Sequence, residues 1–173
     1  MIRSLVFFGL SLLLSACTHT VTADNSAAKG KKIVAGWIEK LIVEDQDFSV
    51  KAKLDTGAKT SSIYAENIET FKRDGARWVR FTLRLTDTND QTHYLALEKP
   101  RVRRVKIKNH DGDHDSRAVV ALDIAFNGVS YSAEFTLADR NEYIYGVLLG
   151  RDFLQGNVIV DADQTFVTQP DAP

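Results

Sequence analysis

The sequence of 173 residues lacks several features that identify common classes of enzyme. It has a single cysteine, Cys17, and therefore no internal disulfide. It contains no His-Glu-x-x-His zinc motif, no glycine-rich phosphate loop and no Gly-x-Ser-x-Gly nucleophile turn. The formal net charge of −1 argues against nucleic acid as a partner. These absences leave zinc, ATP and serine chemistry without a recognisable motif.

The first 32 residues have the composition of an export segment. A positive region with Arg3 precedes an apolar run at 5–14, and Leu14-Ser15-Ala16 supplies the small residues of a cleavage site. This is the order of a signal peptide at 1–16, and the run is shorter than the roughly 20 residues of a membrane-spanning helix. The polar residues that follow predict a flexible tether over 17–32.

The Leu-Ser-Ala-Cys sequence resembles a bacterial lipobox, which implies that Cys17 is lipidated and becomes the new N-terminus. Several acyl chains would anchor the protein stably, whereas one binds only marginally. Thr18 follows where an aspartate would suggest retention at the inner membrane, so we expect the periplasmic face of the outer membrane. The alternative is an ordinary signal peptide with an incidental cysteine.

From residue 33 onward, short apolar segments alternate with turns, as in an all-β barrel or sandwich. We predict polar connections at 44–47, 67–75 and 86–91, and a two-residue hairpin turn at Asn127-Gly128. The segments predicted as strands are 33–43, 48–54, 60–64, 78–85, 93–97, 102–107, 118–126, 129–137, 145–149, 158–160 and 165–167. One short helix is expected to start at Gly150. We predict one domain at 33–168 and a tail at 169–173.

Two stretches carry most of the functional signal. Asp55-Thr56-Gly57-Ala58 follows an apolar strand, and its glycine lets the backbone turn sharply and approach a ligand closely. Far downstream, an apolar run leads into Gly150-Arg151-Asp152. A short Asp/Gly turn alone proves little, because such turns are common between strands. We interpret Asp55 as the candidate catalytic residue because both stretches occur together.

Together the two stretches resemble retropepsins, the single-lobed aspartic peptidases, and more closely the bacterial retropepsin-like proteins that carry the label ATP-dependent zinc protease. The resemblance implies an all-β closed barrel with one short helix near the C-terminus, and peptide hydrolysis without a cofactor. Because two carboxyl groups must share a proton and the chain has one Asp-Thr-Gly, it also implies a homodimer that pairs two copies of Asp55. We reject the ATP and zinc parts of the label.

The resemblance also implies roles for the neighbouring residues. Thr56 would interlock with its counterpart in the other subunit, Gly57 would place its amide near the carboxylates, and Ala58 would line the cleft. Gly150, Arg151 and Asp152 would support the loop, with Arg151 tied to a carboxylate of the same subunit.

A hairpin that covers the substrate is expected at 101–117, where a basic strand precedes an acidic tip. This tip differs from the glycine-rich, apolar tips of retroviral enzymes. Its His110 and His114 could hold a divalent cation, but the Asp-Gly between them disfavours the helix that such spacing requires, and we predict no metal site.

Two classes of function therefore remain after the sequence analysis. The first is a lipid-anchored aspartic endopeptidase that acts on peptides or protein segments. The second is a non-catalytic module that keeps the fold and binds a peptide along a sheet edge. Loss of function on changing Asp55 to Asn, with the fold intact, would distinguish the first from the second.

Overall fold

The computed structural model of the protein describes residues 32–108 and 114–169, and this part of the chain is almost entirely β-structure. It contains ten strands and one short helix. They are β1 (Ile33–Val43), β2 (Val50–Leu54), β3 (Ser61–Arg73), β4 (Ala76–Thr86), β5 (Thr92–Pro100), β6 (Arg103–Lys108), β7 (His114–Phe126), β8 (Val129–Ala138), β9 (Val147–Leu149), α1 (Arg151–Leu154) and β10 (Val158–Thr165).

Six strands close into a barrel. Neighbours follow the order β1, β2, β9, β3, β8 and β7, and β7 pairs back to β1 through Ile42 with Ala125 and Val43 with Ile124. The β2–β9 and β3–β8 pairs are parallel, whereas the other four are antiparallel. Closure leaves no free edge where these six strands pair. The predicted all-β closed barrel with one short C-terminal helix is confirmed.

A second sheet of three strands extends from the barrel through β3. From Ala65 onward, β3 pairs with β4, and β4 pairs with β5 along the whole length of β5. Asn67 lies at a register shift in β3 and has a φ of 53°, the geometry of a β-bulge with one extra residue. Such a bulge bends a strand, and here it marks the point where β3 leaves the barrel.

The prediction of a polar connection at 67–75 is wrong, because β3 continues to Arg73 and only Asp74 and Gly75 form the turn. The polar residues here face solvent on the β3–β4–β5 sheet, where antiparallel strands need no apolar outer face. Arg80 illustrates this arrangement, since it pairs with Glu69 on β3 and Glu98 on β5. Likewise, the single strand β10 replaces the two strands predicted at 158–160 and 165–167, and it ends at Thr165, so residues 166 and 167 lie beyond it.

The core is formed by apolar side chains at alternate positions along the strands. On β4 the side chains of Val79, Phe81, Leu83 and Leu85 are buried, as the sequence pattern predicted. They pack in one apolar cluster with the inward residues of the barrel strands and with Phe153 of α1. The hairpin turn at Asn127-Gly128 is also confirmed, because Phe126 pairs with Val129 and both turn residues have positive φ.

Strand β10 packs beside β1 and is held there by a buried carboxylate. Glu39 is fully buried, and its Oε1 accepts hydrogen bonds from the amides of Gly36 at 2.6 Å and Val167 at 3.1 Å. Its Oε2 accepts from the amide of Thr168 at 3.1 Å and from the Thr168 hydroxyl at 2.8 Å. Gly36 must lack a side chain, because a Cβ atom there would collide with the Gln164 carbonyl.

Replacing Glu39 by Ala should therefore lower the free energy of unfolding by about 3 kcal/mol or more, because several buried donors lose their acceptor. Urea denaturation followed by circular dichroism measures the change. Glu69→Ala on the exposed β3–β4–β5 sheet is the control and should shift stability by about 1 kcal/mol or less. Equal effects of the two substitutions would contradict this account of Glu39.

Candidate active site

Asp55 follows the last residue of β2 and begins a loop that ends where β3 starts at Ser61. Strand β2 pairs in parallel with β9, and the amide of Asp55 donates to the carbonyl of Leu149 at 2.8 Å. The residues of β2 alternate, so Val50, Ala52 and Leu54 are buried. Asp55 therefore emerges on the outer face of the barrel, and its side chain keeps 25% of its surface exposed.

The loop folds back on the Asp55 carboxylate. Oδ1 accepts hydrogen bonds from the amide of Gly57 at 2.9 Å and from the amide of Ala58 at 3.1 Å. A Cβ atom at Gly57 would lie 3.2 Å from this same oxygen, a close contact that glycine avoids. Two amides therefore hold one carboxylate oxygen and fix the orientation of the group.

The second oxygen faces a cation that the sequence analysis did not single out. Lys53 Nζ lies 3.2 Å from Asp55 Oδ2. Burial acts to raise the pKa of Asp55 and is the largest single influence. The hydrogen bonds from Lys53, Ala58 and Gly57 together outweigh it, so the pKa is lowered. The alternation of β2 could have identified Lys53 from the sequence, because residues two apart on a strand share a face and Lys53 lies two positions before Asp55.

The Gly150-Arg151-Asp152 segment, which starts α1, lies directly against the loop. The amide of Arg151 donates to the carbonyl of Ala58 at 3.0 Å, and the amide of Asp152 donates to the carbonyl of Lys59 at 2.9 Å. A Cβ atom at Gly150 would lie 2.6 Å from the carbonyl carbon of Thr60, so this approach requires glycine. The first helical amides thus find their acceptors in the loop.

The Arg151 side chain completes this contact. One guanidinium nitrogen donates to the carbonyls of Thr56 at 2.9 Å and Gly57 at 2.7 Å. The sequence analysis predicted a carboxylate partner for Arg151, whereas in the described part of the chain its guanidinium binds these two backbone carbonyls.

The other two side chains of the motif differ in their contacts. Asp152 carries a carboxylate that lies 3.6 Å from Arg103 at the start of β6. Thr56 itself is exposed on the loop.

Three strands place a row of side chains beside Asp55. Leu148 of β9 pairs with Lys53 of β2 on one side and with Ser62 of β3 on the other. Paired residues on neighbouring strands share a face, so all three lie on the outer face. Ser62 is nevertheless buried, and Arg140 covers it, with one guanidinium nitrogen 3.4 Å from its hydroxyl. Sequence analysis missed Arg140 because it follows β8 in an irregular segment with no motif.

Some predicted features fall outside the described residues. These are Cys17 with the signal peptide and most of the tether, the tip of the predicted covering hairpin at 109–113, and the tail beyond 169. Within residues 32–108 and 114–169, no group of three or more His, Cys, Asp or Glu side chains is arranged to hold a metal. No helix in the same ranges is long and apolar enough to cross a membrane.

Comparison with known proteins identifies a family and finds similar solved structures. A family model described as RimB-like, "Retropepsin-like aspartic endopeptidase RimB", matches residues 34–171. The crystal structure of a protein with unknown function from Legionella pneumophila subsp. pneumophila is similar, with a TM-score of 0.66 and 32% identity. The similarity covers 80% of this chain and all of that one.

Curated relatives carry a different name. Proteins named probable alpha-L-glutamate ligase from Shewanella pealeana and Desulfotalea psychrophila are 38% and 35% identical over 118 and 113 residues. These matches cover 68% and 65% of this chain but only 26% and 24% of the relatives. The chain therefore spans about a quarter of the length of the curated relatives that it matches.

Replacing Lys53 by Met should raise the pKa of Asp55, because the ionised carboxylate loses its cationic partner and binds a proton more tightly. A carbon-detected NMR titration of the Asp55 carboxyl group should therefore show its midpoint at a higher pH than in the parent protein. Lys51→Met is the matched control on the same strand, since Lys51 pairs with Asp90 instead. An unchanged Asp55 midpoint in Lys53→Met would contradict the assignment.

Proposed function

Because the chain belongs to the RimB-like family of retropepsin-like aspartic endopeptidases, we propose that it hydrolyses peptide bonds with Asp55 as its catalytic residue. The observation that supports the proposal is the set of hydrogen bonds that holds the Asp55 carboxylate and its loop. Its Oδ1 is held by two loop amides, and the loop is in turn held by the Gly150-Arg151-Asp152 segment. A carboxylate that is both fixed and partly open to solvent suits general acid–base work.

The chemistry needs a second carboxyl group, which a second copy of the chain would supply. One Asp55 takes a proton from a water molecule while the oxygen of that water attacks the carbonyl carbon of the scissile bond. The other Asp55 enters protonated and gives its proton to the carbonyl oxygen, which forms a tetrahedral intermediate. The C–N bond then breaks as the leaving nitrogen takes a proton from the first Asp55. One hydroxyl of the intermediate returns a proton to the second Asp55 as the C=O bond of the new carboxyl group forms.

The remaining loop residues take their roles from this arrangement. Thr56, which is exposed on the loop, would meet its counterpart in a second subunit. The Gly57 and Ala58 amides orient the carboxylate, and Ala58 would line the cleft. The β6–β7 hairpin is the candidate covering hairpin, and its Arg103 reaches Asp152 beside the loop. That ion pair links the base of the hairpin to the segment that supports Asp55.

The glutamate-ligase name of the curated relatives is not carried over to this chain. The matched region is about a quarter of those proteins, and the family model that spans residues 34–171 describes a peptidase. One observation favours the second candidate function, that of a non-catalytic peptide-binding module. The ammonium of Lys53 already pairs with Asp55 at 3.2 Å, as in a carboxylate with a purely structural role.

Asp55→Asn should lower cleavage of an unbiased peptide pool by about 10²-fold or more, because the amide cannot take a proton from water. Mass spectrometry of the products from acid to neutral pH measures this loss and gives the cleavage sites. Asp74→Asn is the matched control, because Asn tolerates the positive φ of that turn and should cleave normally. Equal cleavage by Asp55→Asn and the parent would contradict the proposal.

The same variant tests the dimer. Excess Asp55→Asn protein added to a fixed amount of active protein should reduce the activity, since mixed dimers carry only one competent Asp55. If the activity stays constant at every ratio, and mass measurements show that mixed dimers form, a two-chain active site is excluded. Complete absence of cleavage at high protein concentration would favour the binding module.

We also propose that lipidated Cys17 anchors the protein at the periplasmic face of the outer membrane. Cys17→Ser should abolish labelling by radioactive palmitate and release the protein from the membrane fraction, because its serine hydroxyl is not a substrate for thiol diacylation. Thr18→Asp is the matched variant, which should stay labelled but move towards the inner-membrane fraction. Palmitate labelling that persists in Cys17→Ser would overturn this proposal.

A further inference from the structure

Strand β8 is paired along the whole of one side but only along part of the other. Strand β7 pairs with all of β8, whereas β3 pairs only with residues 135–138 of β8. In the described part of the chain, no strand pairs with this second side from Val129 to Glu134. This stretch is therefore a free edge, and the backbone groups of a free edge can pair with a further strand.

The hydrogen bonds of the neighbouring strand show which residues of this edge are open. In an antiparallel pair, every second residue points its amide and carbonyl away from the partner strand. Asp123 of β7 donates its amide to Glu44 at 3.0 Å, and its carbonyl accepts the amide of Glu44 at 2.8 Å. It therefore exchanges no bonds with its partner Ser132. Ser132 points its backbone groups to the free edge, as do Ser130 and Glu134 two positions away.

A groove of about 460 Å³ runs along this edge. Residues 131–134 of β8 line one side, and the other side is formed by Asp152 and Phe153 of α1 with Gln155 and Asn157 after it. The two sides meet where the rings of Tyr131 and Phe153 pack edge-on, with centroids 5.3 Å apart. A strand edge beside a groove is the geometry in which an extended chain binds by adding a strand to a sheet.

Two carboxylates give this groove an excess of negative charge. Arg103 lies between them, with its Nε 2.7 Å from the Glu134 carboxylate and one terminal nitrogen 3.6 Å from the Asp152 carboxylate. Among the described residues, neither carboxylate has another ion-pair partner. One guanidinium neutralises one of the two negative charges, so the groove favours an occupant that carries cations.

The chain itself supplies a basic segment at the end of this groove. Strand β1 begins at Ile33, whose amide donates to the carbonyl of Asn157 at 2.9 Å. The residues that precede Ile33 therefore join the domain beside Asn157, which lines the groove. They include Lys29, Lys31 and Lys32 within four positions. The position and the charge of this segment both match the groove.

The length of the segment also fits the edge. An extended chain advances about 3.3 Å per residue, so residues 27–32 would cover roughly 20 Å. The edge from Ser130 to Glu134 is four steps long, or roughly 13 Å. Side chains two residues apart on an extended chain share a face, so Lys29 and Lys31 would lie on the same side.

We propose that residues 27–32 dock in this groove as an added strand on β8, with Lys29 and Lys31 paired to Glu134 and Asp152. The docked segment lies beside the support of the Asp55 loop, because the amide of Asp152 holds that loop. It leaves residues 18–26 to connect the domain to Cys17, a distance of at most roughly 30 Å. This inference is independent of the proposed peptidase activity.

Hydrogen exchange of the full chain, followed by mass spectrometry, tests the docking. The amides of Ser130, Ser132 and Glu134 should exchange slowly in the parent protein, because a docked strand accepts their hydrogen bonds. Replacing residues 27–31 by a Gly-Ser sequence of equal length should speed their exchange about tenfold or more, while exchange in β4 stays unchanged. Equal exchange in the two proteins would overturn the proposal, whether the edge is open or covered by another chain.

The lysines can be tested separately. Lys29→Glu combined with Lys31→Glu should speed exchange at the β8 edge about threefold, because two ion pairs become repulsive. Lys29→Arg combined with Lys31→Arg is the matched control and should leave the exchange unchanged. Equal exchange in the glutamate and arginine variants would contradict the assigned ion pairs.

Disulfide trapping identifies the occupant of the groove. In the full chain with Cys17→Ser, Lys31→Cys combined with Ser130→Cys or Ser132→Cys should form a disulfide within one chain under mild oxidation. Lys31→Cys combined with Ala96→Cys, at an exposed position of β5, is the control and should not. A disulfide that joins two chains would assign the edge to a second copy and overturn the proposal, as would equal yields in all three pairs or no disulfide in any.

Discussion

The contact between the Asp55 loop and the start of α1 is the interaction on which the candidate site depends. The loop from Asp55 to Thr60 has no strand partner of its own, so its carbonyls would be left to solvent. The amides of Arg151 and Asp152 and the guanidinium of Arg151 satisfy four of them. In the same contact, the first turn of α1 obtains acceptors for amides that have none within the helix. The loop therefore supplies the acceptors that the helix amides lack, and α1 supplies the donors that the loop carbonyls lack.

Closure of the barrel makes this contact possible. Nearly a hundred residues separate Asp55 from Arg151, and the parallel pairing of β2 with β9 brings the ends of these strands together. The same three strands, β2, β9 and β3, place Lys53, Leu148 and Ser62 in one row. The barrel thus positions both the Asp55 carboxylate and the row of side chains beside it.

Much of the fold could be predicted because alternation is a local signal. The alternating residues of β4 and the Asn127-Gly128 turn reveal their structure within a few positions. The prediction failed at 67–75, where β3 is largely exposed on both faces and shows no apolar alternation. It also missed Arg140 and the pairing of Lys53 with Asp55, because burial in an irregular segment and contacts across strands depend on the complete fold.

The sequence by itself determined the fold class and family of the protein, and it identified Asp55 as the candidate catalytic residue. The Asp-Thr-Gly-Ala and Gly-Arg-Asp segments carry their backbone requirements in their residue types, since glycine is needed where chains turn or approach closely. Only the tertiary structure decided what surrounds Asp55. The Arg151 side chain binds loop carbonyls, and hydrogen bonds from Lys53 and two loop amides outweigh burial and lower the pKa of Asp55. These features arise from strand register and barrel closure, which bring together residues that are distant in the sequence.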